Sequence, residues 1–274
     1  MIQNILSVDV EEWFHPEAVQ HLFSPNNWST LQNRVEDNMS ILLELFREKN
    51  VKATFFVLGW IAETYPKLVN DIVKDGHEIG THGHMHKMVT QMTPAEFEKD
   101  LNKSIQILNK ISGQQIIGFR APTFSVVEQT YWSLKIMHKL GIRYDSSIYP
   151  IWHDRYGVPN APRNRYQVFS DNGKVLIEFP MSTLRILNKN IPFGGGGYLR
   201  IFPGWVTNKA ISLTNAKGYP AIMYLHPWEF DTRQPKLNLG FFQKWRHYYN
   251  IENNLTKLAK LLDNFNWTSF NSVL

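Results

Sequence analysis

Four short stretches of this 274-residue chain hold side chains able to do chemistry. Asp9 and Glu11 are two residues apart, so in extended backbone they aim at one face. Two acids aimed at one pocket repel unless a cation or an arginine lies between them. His82 and His86 have i, i+4 spacing, which on one helical turn puts both imidazoles on the same side, with His84 directed elsewhere. Two histidines and a carboxylate form a plausible divalent-metal set with positions left open for water. Arg120 stays charged and forms rigid bidentate pairs with carboxylates, so it is suited to orient Asp9 and keep it ionised. His226 titrates near neutral pH and can protonate a leaving group. Taken singly, each has a plainer explanation: a capped turn, loop histidines, a salt bridge, a hydrogen-bonded core histidine. Their joint occurrence favours a site.

The elements that must position these groups alternate between strand and helix. Strands are predicted over 2–10, 52–58, 77–82, 116–119, 143–146, 175–181 and 221–225, with a short one over 267–273. Helices are predicted over 34–49, 66–74, 130–140, 205–216 and 241–262. Another starts at Thr93-Pro94-Ala95-Glu96, a capping box with proline at the first helical position. The near-continuous apolar run in 52–58 suits a parallel strand covered on both faces. Residues 150–171 read as an irregular excursion. Gly194 to Gly197 read as a loop, either a flexible surface loop or a lid over a ligand. About seven strands with helices between them, and no linker, predict an α/β fold: a single distorted (β/α) barrel over 1–274. Its motifs lie within 9–229 and a helical extension occupies 240–274. No glycine-rich phosphate loop follows the first strand, which argues against an open dinucleotide-binding sheet. In such a barrel the site lies where strands end, and five of these ends, at Asp9, His82, Arg120, Asp145 and His226, carry an ionisable group.

These motifs, in this order, resemble the polysaccharide deacetylases of the NodB-homology type, carbohydrate esterase family 4. His82-Gly83-His84-Met85-His86 resembles that family's metal motif, and Arg120-Ala121-Pro122-Thr123-Phe124 the segment that steadies the base. Leu225-His226 resembles the closing motif with the general acid. Gly76-His77-Glu78-Ile79-Gly80 and Ala53-Thr54-Phe55-Phe56-Val57 match scaffold segments. The family's usual paired aspartates are replaced by Ser7-Val8-Asp9-Val10-Glu11-Glu12, similar to a branch that spaces its acids by one residue. The start of the chain and the glycine-rich insert resemble a subgroup found with exopolysaccharide and exosortase loci.

The resemblance implies that Asp9 is the base, that Glu11 binds metal with His82 and His86, that Glu12 is the rival ligand, and that His226 is the acid. Asp145 is expected to pair with His226 and raise its pKa. Pro122, Tyr198 and Trp228 are expected to meet substrate, the aromatics by stacking on sugar rings. One divalent ion, zinc, is the expected cofactor. The implied reaction is hydrolysis of N-acetyl groups on amino sugars of a polysaccharide or glycan precursor, releasing acetate. The alternatives are a catalytically inactive carbohydrate-binding protein on the same fold and a metal-dependent amidase acting on a small cyclic amide.

Composition narrows the remaining choices. The chain has no cysteine, which excludes disulfides and thiolate-ligated metals. With 43% hydrophobic and 19% charged residues it can form a packed core. Its net charge is +5, but the cations are dispersed, so no nucleic-acid partner is expected. An N-acetylated glycan is the expected partner, with peripheral contact to a lipid-linked glycan. Without a basic leader, or an apolar run near the roughly 20 residues that span a bilayer, the expected location is the cytoplasm.

Overall fold

The structure is a computed structural model that describes residues 2–153 and 155–274. Eleven strands are present among the described residues: β1 (Gln3–Val10), β2 (Thr54–Val57), β3 (Glu78–Thr81), β4 (Gly118–Phe119), β5 (Tyr144–Asp145), β6 (Tyr166–Asp171), β7 (Lys174–Glu178), β8 (Thr183–Ile186), β9 (Lys189–Pro192), β10 (Ile222–Leu225) and β11 (Asn266–Thr268). In space the main sheet runs β10-β1-β2-β3-β4-β5-β7-β6. The path from β10 to β7 consists of seven parallel strands. Helices link most of them, as parallel neighbours require.

Alternation along β1 shows how the sheet sorts its residues. Leu6, Val8 and Val10 join the core beneath the outer helices, whereas Ile5 joins a second core inside the barrel. Ser7 and Asp9 share the parity of Ile5, so β1 carries polar groups inward near its C-terminal end. The inner core includes Phe56, Tyr144, Phe179, Ile222 and Phe270. Phe270 follows β11 and packs against Phe56, Tyr144 and Phe179. Its N–H donates to Thr54 Oγ1 at the start of β2, so the chain's tail plugs the floor of the barrel. Polar chemistry is thereby left to the opposite end.

The helices at Pro66–Lys74 and Pro94–Ser112 form as expected, the second with its Thr93–Glu96 capping box. The long tail helix divides instead into Phe241–Tyr248 and Asn254–Asn264, separated at Asn250, which takes a left-handed φ of 55°. The excursion over 150–171 contains β6, which pairs antiparallel with β7 around an Asn172-Gly173 turn, both residues having positive φ. This is the asparagine–glycine hairpin chemistry of a primed turn. β8 and β9 form a second hairpin, turning at Leu187 and Asn188, also at positive φ.

Gly194 to Gly196 are buried rather than looped into solvent. Tyr224 N–H donates to Gly194 O at 2.8 Å, and Gly195 bridges to Tyr224 in parallel fashion. A Cβ on Gly195 would sit 2.6 Å from Tyr224 Oη, and one on Gly196 only 1.8 Å from Glu229 Oε2. The glycines let the backbone press against β10 across the gap where no strand joins β7 to β10. They serve closure of the barrel, and the helix Gly196–Ile201 begins within them.

Candidate active site

Asp9 and Glu11 sit at and just beyond the end of β1, His82 follows β3, Arg120 follows β4, and His226 follows β10. Asp9, Glu11, His82 and His226 open toward one cavity of about 370 Å³, lined also by Thr123, Phe124, Tyr198, Tyr224, Arg246 and His247, with Arg120 buried behind it.

One ligand atom from each of Glu11, His82 and His86 can be chosen so that the three lie within 4.8 Å of one another, and all three residues are buried. The i, i+4 histidines reach this arrangement without a helix. The chain bends through Gly83 at φ +77° and His86 at φ +52°, a left-handed conformation unusual for a residue with a side chain. His82 Nδ1 contacts Arg120 O at 2.8 Å, which leaves Nε2 for the cluster. His86 Nε2 lies 2.8 Å from Glu11 Oε2, while its buried Nδ1 has no hydrogen-bond partner. Trp228 Nε1–H donates to Glu11 Oε1 at 3.0 Å. Burial alone would raise the Glu11 carboxyl, but His86 and His226 beside it hold it well below the usual carboxylate range. Burial lowers His82 to about 4, so it is neutral and able to ligate. The cluster can hold a metal ion: two imidazoles and one ionised carboxylate suit a divalent cation with open positions.

Glu12 takes no part. Its carboxylate faces the opposite way and accepts the N–H groups of Arg34 and Val35 at 3.0–3.2 Å, at the start of the helix Val35–Glu48. Burial pushes it up to about 7.

Arg120 is fully buried and lies 4.4 Å above the Phe56 ring. Its pairing with Asp9 is not bidentate. Nη1 donates to Asp9 Oδ1 and to Ser7 Oγ, both at 2.7 Å, while Nη2 and Nε donate to Ser146 Oγ and O. The guanidinium thus ties together β1, the end of β4 and the end of β5, and leaves Asp9 Oδ2 free. Oδ2 lies 3.9 Å from His226 Nε2, which is 3.6 Å from Glu11 Oε1. His226 therefore stands beside both acids.

The carboxylate behind His226 is Glu229, whose Oε2 is 3.2 Å from Nδ1. Asp145 does not reach the imidazole. Strands β1 to β4 separate β10 from β5 in the sheet, and Asp145 instead accepts from Ser147 and faces Glu178. Burial would lower His226, but Glu11, Glu229 and Asp9 outweigh it and raise the imidazole to about 9. Glu229, with burial opposing and His226 and Arg200 favouring its charge, is held low. Sequence reasoning overlooked Glu229. Its signal was the i, i+3 spacing in His226-Pro227-Trp228-Glu229, a short helical start that turns residue 229 back toward residue 226.

The expected sugar contacts fare unevenly. Tyr198 lines the cavity and stacks on Phe202. Trp228 lines the cavity but is only 7% exposed, and both His226 and His247 stack on its indole, so it braces the site. Pro122 is buried behind the wall, and the residues after it, Thr123 and Phe124, reach the cavity at positive φ.

Together these features describe a parallel β/α barrel whose strand ends gather an acid–histidine cluster able to hold a metal ion, an arginine-held aspartate and a carboxylate-backed histidine. Comparison with known proteins is consistent with this class. Residues 28–144 match the model of the polysaccharide deacetylase family. Residues 146–274 match a domain of unknown function, DUF3473. The chain is 34% identical over 93 residues to a peptidoglycan-N-acetylglucosamine deacetylase of Bacillus cereus, covering 34% of each chain. It is 33% identical over 107 residues to a peptidoglycan deacetylase of Helicobacter pylori, covering 39% of this chain and 36% of that one. The chain thus spans about a third of the length of these relatives. Among solved structures, a Mycobacterium smegmatis protein assigned to the polysaccharide deacetylases superposes with a TM-score of 0.59 at 19% identity, covering 99% of this chain and 90% of that one. A Bacillus anthracis protein described as a pseudoenzyme of carbohydrate esterase family 4 superposes at 0.50 and 13% identity, covering 98% of this chain and 65% of that one. The fold accommodates proteins with and without activity, so the side chains in the cavity must carry the functional argument.

Proposed function

We propose that this protein is a metal-dependent N-deacetylase acting on N-acetylated amino sugars of a polysaccharide or glycan precursor. The observation that carries this reading is the position of Asp9 and His226. Each lies within reach of the Glu11–His82–His86 cluster, on a cavity large enough for a sugar ring. Glu11, His82 and His86 would hold a divalent cation, zinc the first candidate, which would supply Lewis acidity toward an acetamide carbonyl and water. Asp9, oriented through Oδ1 by Arg120, uses its free Oδ2 to take the proton of the attacking water. The water oxygen adds to the acetyl carbon. As the carbon–nitrogen bond breaks, His226 gives its Nε2 proton to the departing amine, and acetate and a free amino sugar result. Glu229 favours the protonated imidazole that this step requires. Tyr198, Thr123 and Phe124 shape the cavity mouth that the sugar enters. The relatives' names, which mention peptidoglycan, support an N-acetylated glycan as substrate class.

The test is acetate release from a panel of N-acetylated oligosaccharides, with free amine counted in parallel. One amine per acetate, lost on chelation and restored by zinc, is expected. Acetate release that persists unchanged under exhaustive chelation would refute the metal-dependent reading.

A further inference from the structure

The helix Phe241–Tyr248 has two faces with different fates. His247 is buried, touching Gln234 through Nε2 at 3.1 Å, and Tyr248 Oη donates to Pro235 O at 2.9 Å. Arg200 Nη1 donates to the carbonyls of Arg246, His247 and Tyr249 at 3.1–3.2 Å, fastening the helix's end to the barrel. The outer face has no such partners. Phe241 and Phe242 are 79% and 81% exposed, and Trp245 and Tyr249 are 44% and 40% exposed. Phe241, Trp245 and Tyr249 are spaced four apart, which on a helix is a single stripe. Four large aromatics on eight or nine residues of a fixed helix form an apolar patch of the kind that marks an interaction site.

Charge says what covers it. From Thr232 to Ile251 there are four cations, Arg233, Lys236, Lys244 and Arg246, and no acid. All four are exposed, and Lys244 and Arg246 belong to the helix itself. Aromatic rings flanked by lysine and arginine suit the headgroup level of a bilayer, where rings enter the acyl boundary and cations meet lipid phosphates. Among the described residues no helix is long and apolar enough to cross a membrane, so the contact would be interfacial. Gln243, Arg246 and His247 of the same helix line the cavity, which puts the patch beside its mouth.

We propose that this helix docks the protein on an anionic lipid surface, with Phe241, Phe242 and Trp245 entering the interface and the cavity opening beside it. The inference stands independently of the deacetylase reading, because its readout is vesicle binding.

The experiment is co-sedimentation of the full chain with phosphatidylcholine vesicles containing or lacking 30% phosphatidylglycerol. Binding at least tenfold tighter to the anionic vesicles is expected, weakening by about fivefold for Lys244→Gln, since one cation near such a surface contributes about that factor. The double variant Phe241→Ser/Phe242→Ser should lose at least tenfold in vesicle binding and retain the far-UV spectrum and thermal midpoint of the parent chain, which shows that it is folded. Parent protein that stays in the supernatant with anionic vesicles overturns the proposal. So does a folded double variant that binds vesicles as the parent does. A double variant that dissociates a dimer, or loses affinity for a soluble glycan, while vesicle binding is unchanged would assign the patch to a second copy or to the glycan instead.

Discussion

Two pairs of buried carboxyls sit at strand ends of this barrel, and they behave in opposite ways. Asp9 and Glu11 at the end of β1 are surrounded by Arg120, His82, His86 and His226. Asp145 and Glu178 are cross-strand neighbours on β5 and β7, both fully buried, with no histidine or arginine bonded to either. Residue types, burial and position along the strand are nearly the same. In the first pair, cations and imidazole N–H groups offset burial and hold Glu11 ionised. In the second, burial dominates and raises Asp145 to about 6 and Glu178 well above its ordinary value, so that one proton is retained between them. A buried acid at a barrel mouth is thus not by itself a catalytic group. What surrounds it decides whether it presents charge to a cavity or cross-links two strands.

The difference can be broken most severely at the cluster. His82→Ala or His86→Ala should remove the metal and reduce acetate release to background, with elemental analysis falling from about one ion per chain to none. Full metal in both variants would move the site elsewhere. A smaller effect is expected behind the acid. Glu229→Gln removes the carboxylate 3.2 Å from His226 Nδ1, lowers the imidazole pKa and shifts the alkaline limb of the rate profile to lower pH. The turnover loss near neutrality should be about tenfold. A matching Asp145→Asn should leave that limb in place, and a shift there would restore Asp145 as the partner of His226.

The smallest effect on rate belongs to Glu178→Gln, which keeps the acceptor for the Ile148 N–H and should leave turnover within about threefold. Its signature is in stability. Both acids bind protons more tightly folded than unfolded, so their favourable contribution is complete below pH 4 and is lost as pH rises through the folded values, by about 6 for Asp145 and at higher pH for Glu178. The thermal midpoint of the parent should therefore fall between pH 5.5 and 8. Glu178→Gln should flatten that slope and gain on the order of 1–3 kcal/mol at pH 8 relative to the parent's decline. An unchanged slope would mean that the pair is ionised like the first.

Much of the cavity was legible in the chain because its signals are local. The alternation of Ile5, Ser7 and Asp9 with Leu6, Val8 and Val10 sets which face each joins, and an apolar run followed by a polar group marks a strand end. His82 and His86 were legible as a pair, though by a left-handed bend at Gly83 and His86 rather than by a helix. Relations across the barrel were not legible. Glu12 is turned aside by two N–H groups at a helix start some twenty residues on, Arg120 divides its donors between Asp9 and two serines, and Asp145 finds Glu178 instead of His226. The four glycines read as a surface loop or a lid because the chain alone does not show Tyr224 and Glu229 pressed against Gly195 and Gly196. Nor did it show that the two matched families meet at residue 145, inside a ladder that continues from Asp145 to Glu178.

The most direct test of the account is Asp9→Asn, measured for turnover and metal content on one preparation. The substitution keeps the size and the Arg120 contact but removes the proton acceptor. The account predicts about one metal ion per chain and a fall in turnover of roughly 10² to 10⁴, the usual contribution of a general base. Near-normal turnover with metal retained would contradict it.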